Sequence, residues 1–172
     1  MISNNKTIFT ETQKFTQWWV FLILALTTVP FVIGFVYQET TGKLIGNHPM
    51  GNNQYILALI IVCLVNSLFF IMRLQTKIDS DGIHVRFFPF KLNYGHYKWD
   101  EIEKVSVRNY EPISEYGGWG IRYSFNHGKA LTTSGNQGIQ METKSGKKIL
   151  IGTQKPEEAE IAIRQLRKDT MQ

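Results

Sequence analysis

The sequence predicts two transmembrane helices near the N-terminus followed by one mainly β domain, about seven antiparallel strands closed by a C-terminal α-helix. Three observations lead there. Two long apolar runs without charge lie within the first 72 residues. Alternating runs bounded by Asp-Gly and Ser-Gly turns fill the middle, and helical spacing of apolar residues returns only at the end. The whole-chain averages hide this division. A length of 172 residues, a net charge of +5 and a mean hydropathy of −0.16 describe an ordinary basic globular protein. They are the mean of two unlike populations.

The first run, residues 18–37, contains no Asp, Glu, Lys or Arg. At about 1.5 Å per residue it crosses a hydrocarbon layer of about 30 Å. Trp18 and Trp19 stand at one end and Tyr37 at the other, where amphipathic rings favour the headgroup level. Pro30 and Gly34 weaken a helix in water and are tolerated in lipid. The run is too long for a signal-peptide core, and Gln38-Glu-Thr-Thr-Gly42 supplies no small-residue cleavage site. The second span is placed at residues 54–73, its uncharged stretch being 55–72. Two helices apolar on every side would need a larger soluble core than the roughly 100 remaining residues could supply.

Basic residues set the expected orientation. Lys6 and Lys14 precede the first span, and Arg73, Lys77, Arg86 and Lys91 follow the second, whereas the connecting loop 38–53 carries only Lys43. By the positive-inside rule the loop is outside, and both termini, residues 1–17 and 74–169, are cytoplasmic at the cell membrane. No Asp, Glu, Lys, Arg or His lies inside either uncharged stretch, 18–37 or 55–72, so no ion pathway is indicated. Asn66, Ser67, Ala25, Thr28 and Gly34 read as helix–helix contacts.

Beyond Arg73 the period changes. Residues 76–79 and 83–87 flank Ser80-Asp-Gly82, a strong hairpin signal. Trp99-Asp-Glu-Ile102 leads into 105–108, and further strands follow at 120–125, 129–133, 138–143 and 147–151. Pro156-Glu-Glu then opens a helix whose Ala159, Ala162, Ile163 and Leu166 share one face, with Arg164, Arg167 and Lys168 towards its end. That face suits the open end of a curved sheet.

This order carries a resemblance. Lys77-Ile-Asp-Ser-Asp-Gly-Ile83, Trp99-Asp-Glu-Ile102 and Ile149-Leu-Ile-Gly-Thr-Gln-Lys-Pro-Glu-Glu158, behind a helix pair, resemble bacterial membrane proteins with a pleckstrin-homology-like (bacterial PH) domain. The resemblance implies a fold and a topology, and it lends no catalytic residue. The long aromatic segment between Val107 and Gly120 departs from the pattern.

Two segments stand out as binding candidates. Tyr110, Tyr116 and Trp119, among three glycines, suggest either an exposed aromatic partner loop or a folded connection in which Trp119 caps the sheet. Phe88, Phe90, Lys91 and Lys98 join aromatic and basic character soon after the second span, and suggest either contact with anionic headgroups or a hairpin with core phenylalanines. Residues 134–138 make a turn whose amides are able to hold an anion. Cys63 is alone, and His48, His84, His96 and His127 are scattered, so no cofactor and no metal site is expected. The basic charges are interspersed with acids, which argues against nucleic acid. No nucleophile–base pair or carboxylate dyad emerges from the spacing. The expectation is a membrane-anchored, non-catalytic interaction module whose partners are the bilayer, anionic headgroups, another membrane protein or a second copy. The alternative is an accessory subunit of a transport or envelope-stress complex acting through its helices.

Overall fold

A computed structural model describes residues 7–45 and 50–170, the side chains of 168–170 excepted. Lys6, His48 and the Lys168 side chain, used above, lie outside these. The chain divides into two compact units, a helix pair spanning residues 15–71 and a β domain built from the segment up to Lys14 and from Met72 onward.

In the first unit α1 (Trp18–Thr41) and α2 (Asn52–Ile71) are antiparallel neighbours, both long and apolar enough to cross a membrane. Leucines, isoleucines and valines cover their outer surfaces. Only 11% of the apolar stretch of α1 and 6% of that of α2 is buried inside the chain. The helix α1 runs one turn past the expected end at Tyr37, because Gln38, Glu39, Thr40 and Thr41 are compatible with helix although they are not apolar. Gly42, at φ 66°, closes it by donating its N–H to the Gln38 carbonyl at 2.9 Å. The seam is polar and small. Asn66 Nδ2 donates to Thr28 Oγ1 at 2.7 Å and to the Leu24 carbonyl at 3.3 Å. A Cβ at Gly34 would lie 2.8 Å from the Tyr55 ring, so only glycine leaves that ring its place. Ser67 instead bonds its own helix, at the Leu64 carbonyl.

Among the described residues the second unit contains nine strands, two more than the sequence pattern marks. One sheet has the order β1 (Phe9–Lys14), β2 (Arg73–Ile78), β3 (Gly82–Phe88), β4 (Gly95–Lys98), all antiparallel. The other has the order β5 (Ile102–Asn109), β8 (Gln137–Thr143), β9 (Lys148–Gly152), β7 (Gly128–Thr132), β6 (Gly120–Ser124). Its β7–β9 pair is parallel, which corrects the expectation of wholly antiparallel strands. The cause is that the β6–β7 hairpin is added beside β9 as a unit, and its inner strand then runs the same way. A short helix, α3 (Pro112–Tyr116), interrupts the expected aromatic loop, with Pro112 at its first turn and Gly117 at φ 70° closing it.

The core is formed by the inward positions of both sheets, among them Leu74, Ile78, Ile83, Val85, Phe87, Ile139, Met141, Leu150 and Ile151. The final helix, α4 (Pro156–Thr170), covers it with Ala159, Ala162, Ile163 and Leu166, all buried, as the spacing predicts. The unpredicted strand β1 is held by polar groups. Glu11 is buried and accepts from Thr153 Oγ1 at 2.7 Å and from the Gln154 amide at 2.8 Å. Gln13 donates to the Gly152 carbonyl at 2.7 Å and accepts from Thr133 Oγ1 at 3.0 Å. Register places Lys14, Arg73 and Phe88 in one row across three strands, so the chain leaves the sheet and returns to it at one end.

Candidate functional site

A concave surface of the β domain lies where the edge strand β4 meets the β6–β7 hairpin and the β8–β9 turn. It is a groove of about 570 Å³, walled by Tyr97, Tyr123, Phe125, Lys129, Lys147 and Lys148. Local sequence explains its shape. Residues 125–127 turn the chain between β6 and β7, leaving Phe125 98% exposed and Tyr123 73% exposed, their rings edge to face at 6.2 Å. Gly128, at φ 76°, brings β7 against Lys148, and a Cβ there would collide with the Lys148 carbonyl. The parallel register then sets Lys129 beside Ile149, and residues 144–147 carry Lys147 to the rim.

The electrostatics are one-sided. Lys129 is held below the usual lysine range, first by partial burial and then by the neighbouring Lys91 ammonium. Neither Lys129 nor Lys147 has a carboxylate within ion-pair distance among the described residues. Lys148 reaches Glu142 only at 3.9 Å, and that carboxylate is shared with Lys104 at 4.0 Å. Burial raises the Tyr97 hydroxyl above its ordinary pKa, so it remains a neutral donor. The residues lining the groove offer ammonium, phenol and amide groups beside exposed rings, and none is a carboxylate, thiol or imidazole. Such a surface can hold an anion and stack an apolar or aromatic group beside it.

The residues singled out by sequence go elsewhere. Tyr110 and Tyr116 are buried, packed with Ala130 and Leu150, their rings edge to face at 6.1 Å. They therefore form no exposed aromatic surface. Burial pushes the Tyr110 hydroxyl up to about 12. Trp119 is half-buried and donates from Nε1 to the Gly135 carbonyl at 2.8 Å. Tyr110 also donates to that carbonyl, at 3.3 Å, so the turn at 134–138 serves this segment as an acceptor. Glu115 on α3 forms a two-point pair with Arg108, at 2.7 and 3.1 Å, which holds its carboxyl below the ordinary range. These contacts make the segment a folded connection.

The second set is divided by the fold. Phe88 is half-buried opposite Arg73, while Phe90, Lys91 and Leu92 are exposed on the β3–β4 connection at the end where the chain passes to and from the apolar helices. Lys98 pairs with Gly82 at the opposite end of β3. At about 3.3 Å per residue, six residues separate Lys98 from Phe88 by about 20 Å. Lys98 thus cannot share one interface loop with the other three. The seam residue Asn66 is occupied by Thr28 and Leu24.

Sequence reasoning missed the groove because its residues come from three separated segments. The one available signal was Tyr123 and Phe125 beside a turn, both apolar at positions that face solvent. Comparison with protein-family models, with curated proteins and with solved structures gives no match.

Proposed function

We propose that this protein is a membrane-anchored, non-catalytic interaction module. Its apolar helix pair spans the membrane with both termini on the cytoplasmic side, and its β domain, similar to bacterial PH domains, presents the lysine–aromatic groove to an acidic segment of a protein partner. The observation that carries the reading is Lys129 and Lys147, with no carboxylate in ion-pair distance among the described residues, and Lys148, which shares Glu142 with Lys104, beside the exposed Tyr123 and Phe125. Desolvating lysines without a counter-charge is unfavourable, and an incoming carboxylate relieves it. The β3–β4 connection supports the anchoring half. Phe90, Lys91 and Leu92 stand at the end of the sheet to which both helices are joined, and suit contact with anionic headgroups. The PH-like assignment rests on two mainly antiparallel sheets closed by a C-terminal helix. The strand β1 and the parallel β7–β9 pair are additions to it.

The test is a photo-crosslinking residue at Phe125 in the full chain within native membranes, with and without Lys147→Glu and Lys148→Glu. The expected result is a protein adduct that disappears on charge reversal. An adduct indifferent to charge reversal, or crosslinks to lipid alone, contradicts the reading.

A further inference from the structure

The β2–β3 turn and the β3–β4 pair assemble a second polar cluster, separate from the lysine groove. Antiparallel register sets His84 directly opposite His96. Their rings stack at 4.1 Å between centroids and 7° between planes. Two carboxylates converge on them. Asp79 Oδ2 lies 3.0 Å from His84 Nε2, and Asp81 Oδ2 lies 3.1 Å from His96 Nε2. Both oxygens approach away from the ring N–H direction, so each Nε2 is buried without a hydrogen bond among the described residues. One donor atom from each of Asp81, His84 and His96 lies within 4.8 Å of the other two.

The surroundings are fixed. Asp79 Oδ1 accepts the Asp81 and Gly82 amides at 2.9 and 3.1 Å, and the Asp79 carbonyl accepts Trp99 Nε1 at 2.9 Å. Lys77, register partner of His84, and Arg86 both stand over the Tyr94 ring, at 5.0 and 4.5 Å from its centroid. A tight, hydrogen-bonded turn therefore sets its carboxylates beside two buried imidazole nitrogens that have no hydrogen-bond partner among the described residues. In sequence the histidines are twelve residues apart and resemble no ligand pair. Strand pairing brings them together.

We propose that Asp81, His84 and His96 bind one divalent transition-metal ion, with Zn²⁺ the best match to two imidazoles and one carboxylate. Tetrahedral zinc with bonds of about 2.0–2.1 Å holds its ligands about 3.3 Å apart, so the donors close by up to about 1.5 Å through side-chain rotation. The bound ion occupies both unbonded nitrogens and neutralises the facing carboxylates. Asp79 Oδ2 or water takes the fourth position. The ion ties the β2–β3 turn to the short edge strand β4, whose Tyr97, adjacent to His96, walls the lysine groove.

The experiment titrates Co²⁺ and Zn²⁺ into the metal-stripped, tag-free full chain in detergent micelles. It reads Co²⁺ visible absorption and tryptophan fluorescence, with circular dichroism as the control for folding. The expected result is one ion per chain, weakened at least about tenfold by Asp81→Asn or by His96→Gln and unaffected by His127→Gln. Asp81 is exposed and its turn contact is made by the backbone, so Asp81→Asn keeps the fold if His96→Gln does not. A folded wild-type chain that binds neither ion overturns the site, as does binding that survives Asp81→Asn unchanged.

Discussion

The helix pair and the β domain expose opposite kinds of residue. In residues 15–71 only Val20, Leu24, Gly34 and Gln38 of α1 are buried, α2 has no buried residue, and the exposed surface is largely leucine, isoleucine, valine and phenylalanine. In the β domain Phe87, Leu74 and Ile139 are inside, and lysines ring the surface. The difference teaches why we propose different solvents for the two regions, lipid for the helix pair and water for the β domain. Apolar burial stabilises a fold only where the alternative is water. In the helix pair the seam must be specified by close approach and hydrogen bonds, which is the role of Gly34, Thr28 and Asn66.

The comparison breaks most directly at equivalent deletions. Phe87→Ala removes a ring that is 1% exposed, and should destabilise the β domain by about 3–5 kcal/mol in denaturant unfolding followed by tryptophan fluorescence. Leu64→Ala, at a side chain 63% exposed, should change stability by less than about 0.5 kcal/mol in the same assay. Equal losses would dissolve the distinction.

Glu11→Ala is the next largest change. It leaves the Thr153 hydroxyl and the Gln154 amide without their acceptor, and should cost about 2–3 kcal/mol on the same scale. Glu11→Gln, keeping one acceptor, should cost less. Loss of β1 should also raise the rate of proteolysis before α1.

In the seam, Asn66→Leu adds apolar surface yet should lower the thermal stability of the helix pair in micelles by about 0.6–1.7 kcal/mol. A gain on this substitution would show the pair to be held by apolar burial after all.

The smallest effect is one of pH. The Glu115 carboxyl is depressed in the folded state, chiefly by its hydrogen bonds to Arg108. Its contribution is complete above the unfolded carboxylate pKa of about 4.3 and is lost as pH falls through the lower folded value. Stability should decline below about pH 4 in wild type, and the Glu115→Gln variant should lack that component in acid melts.

Much of this division was legible in sequence, and the failures have physical reasons. Both helices follow from length and lack of charge, and α4 from helical spacing ahead of its acidic first turn. The strand β1 was not legible because two of its three inward side chains are Glu11 and Gln13, so the apolar alternation that marks a strand is missing. The strand β4, Gly95–Lys98, is short and has no fully buried residue. The placement of Tyr110 and Tyr116 stayed open between two readings, because an aromatic, glycine-rich segment reads alike whether its rings face solvent or the core. The lysine groove and the His84–His96 pair depend on strand register, which no local pattern states.

We propose that two membrane-crossing helices leave one β domain and return to it. This topology is tested most directly by single-cysteine labelling in sealed right-side-out vesicles on a Cys63→Ser background. With a membrane-impermeant maleimide, Lys43→Cys should react in intact vesicles, whereas Thr10→Cys and Lys147→Cys should react only after lysis. Reaction of Thr10→Cys and Lys147→Cys from opposite sides would contradict the account.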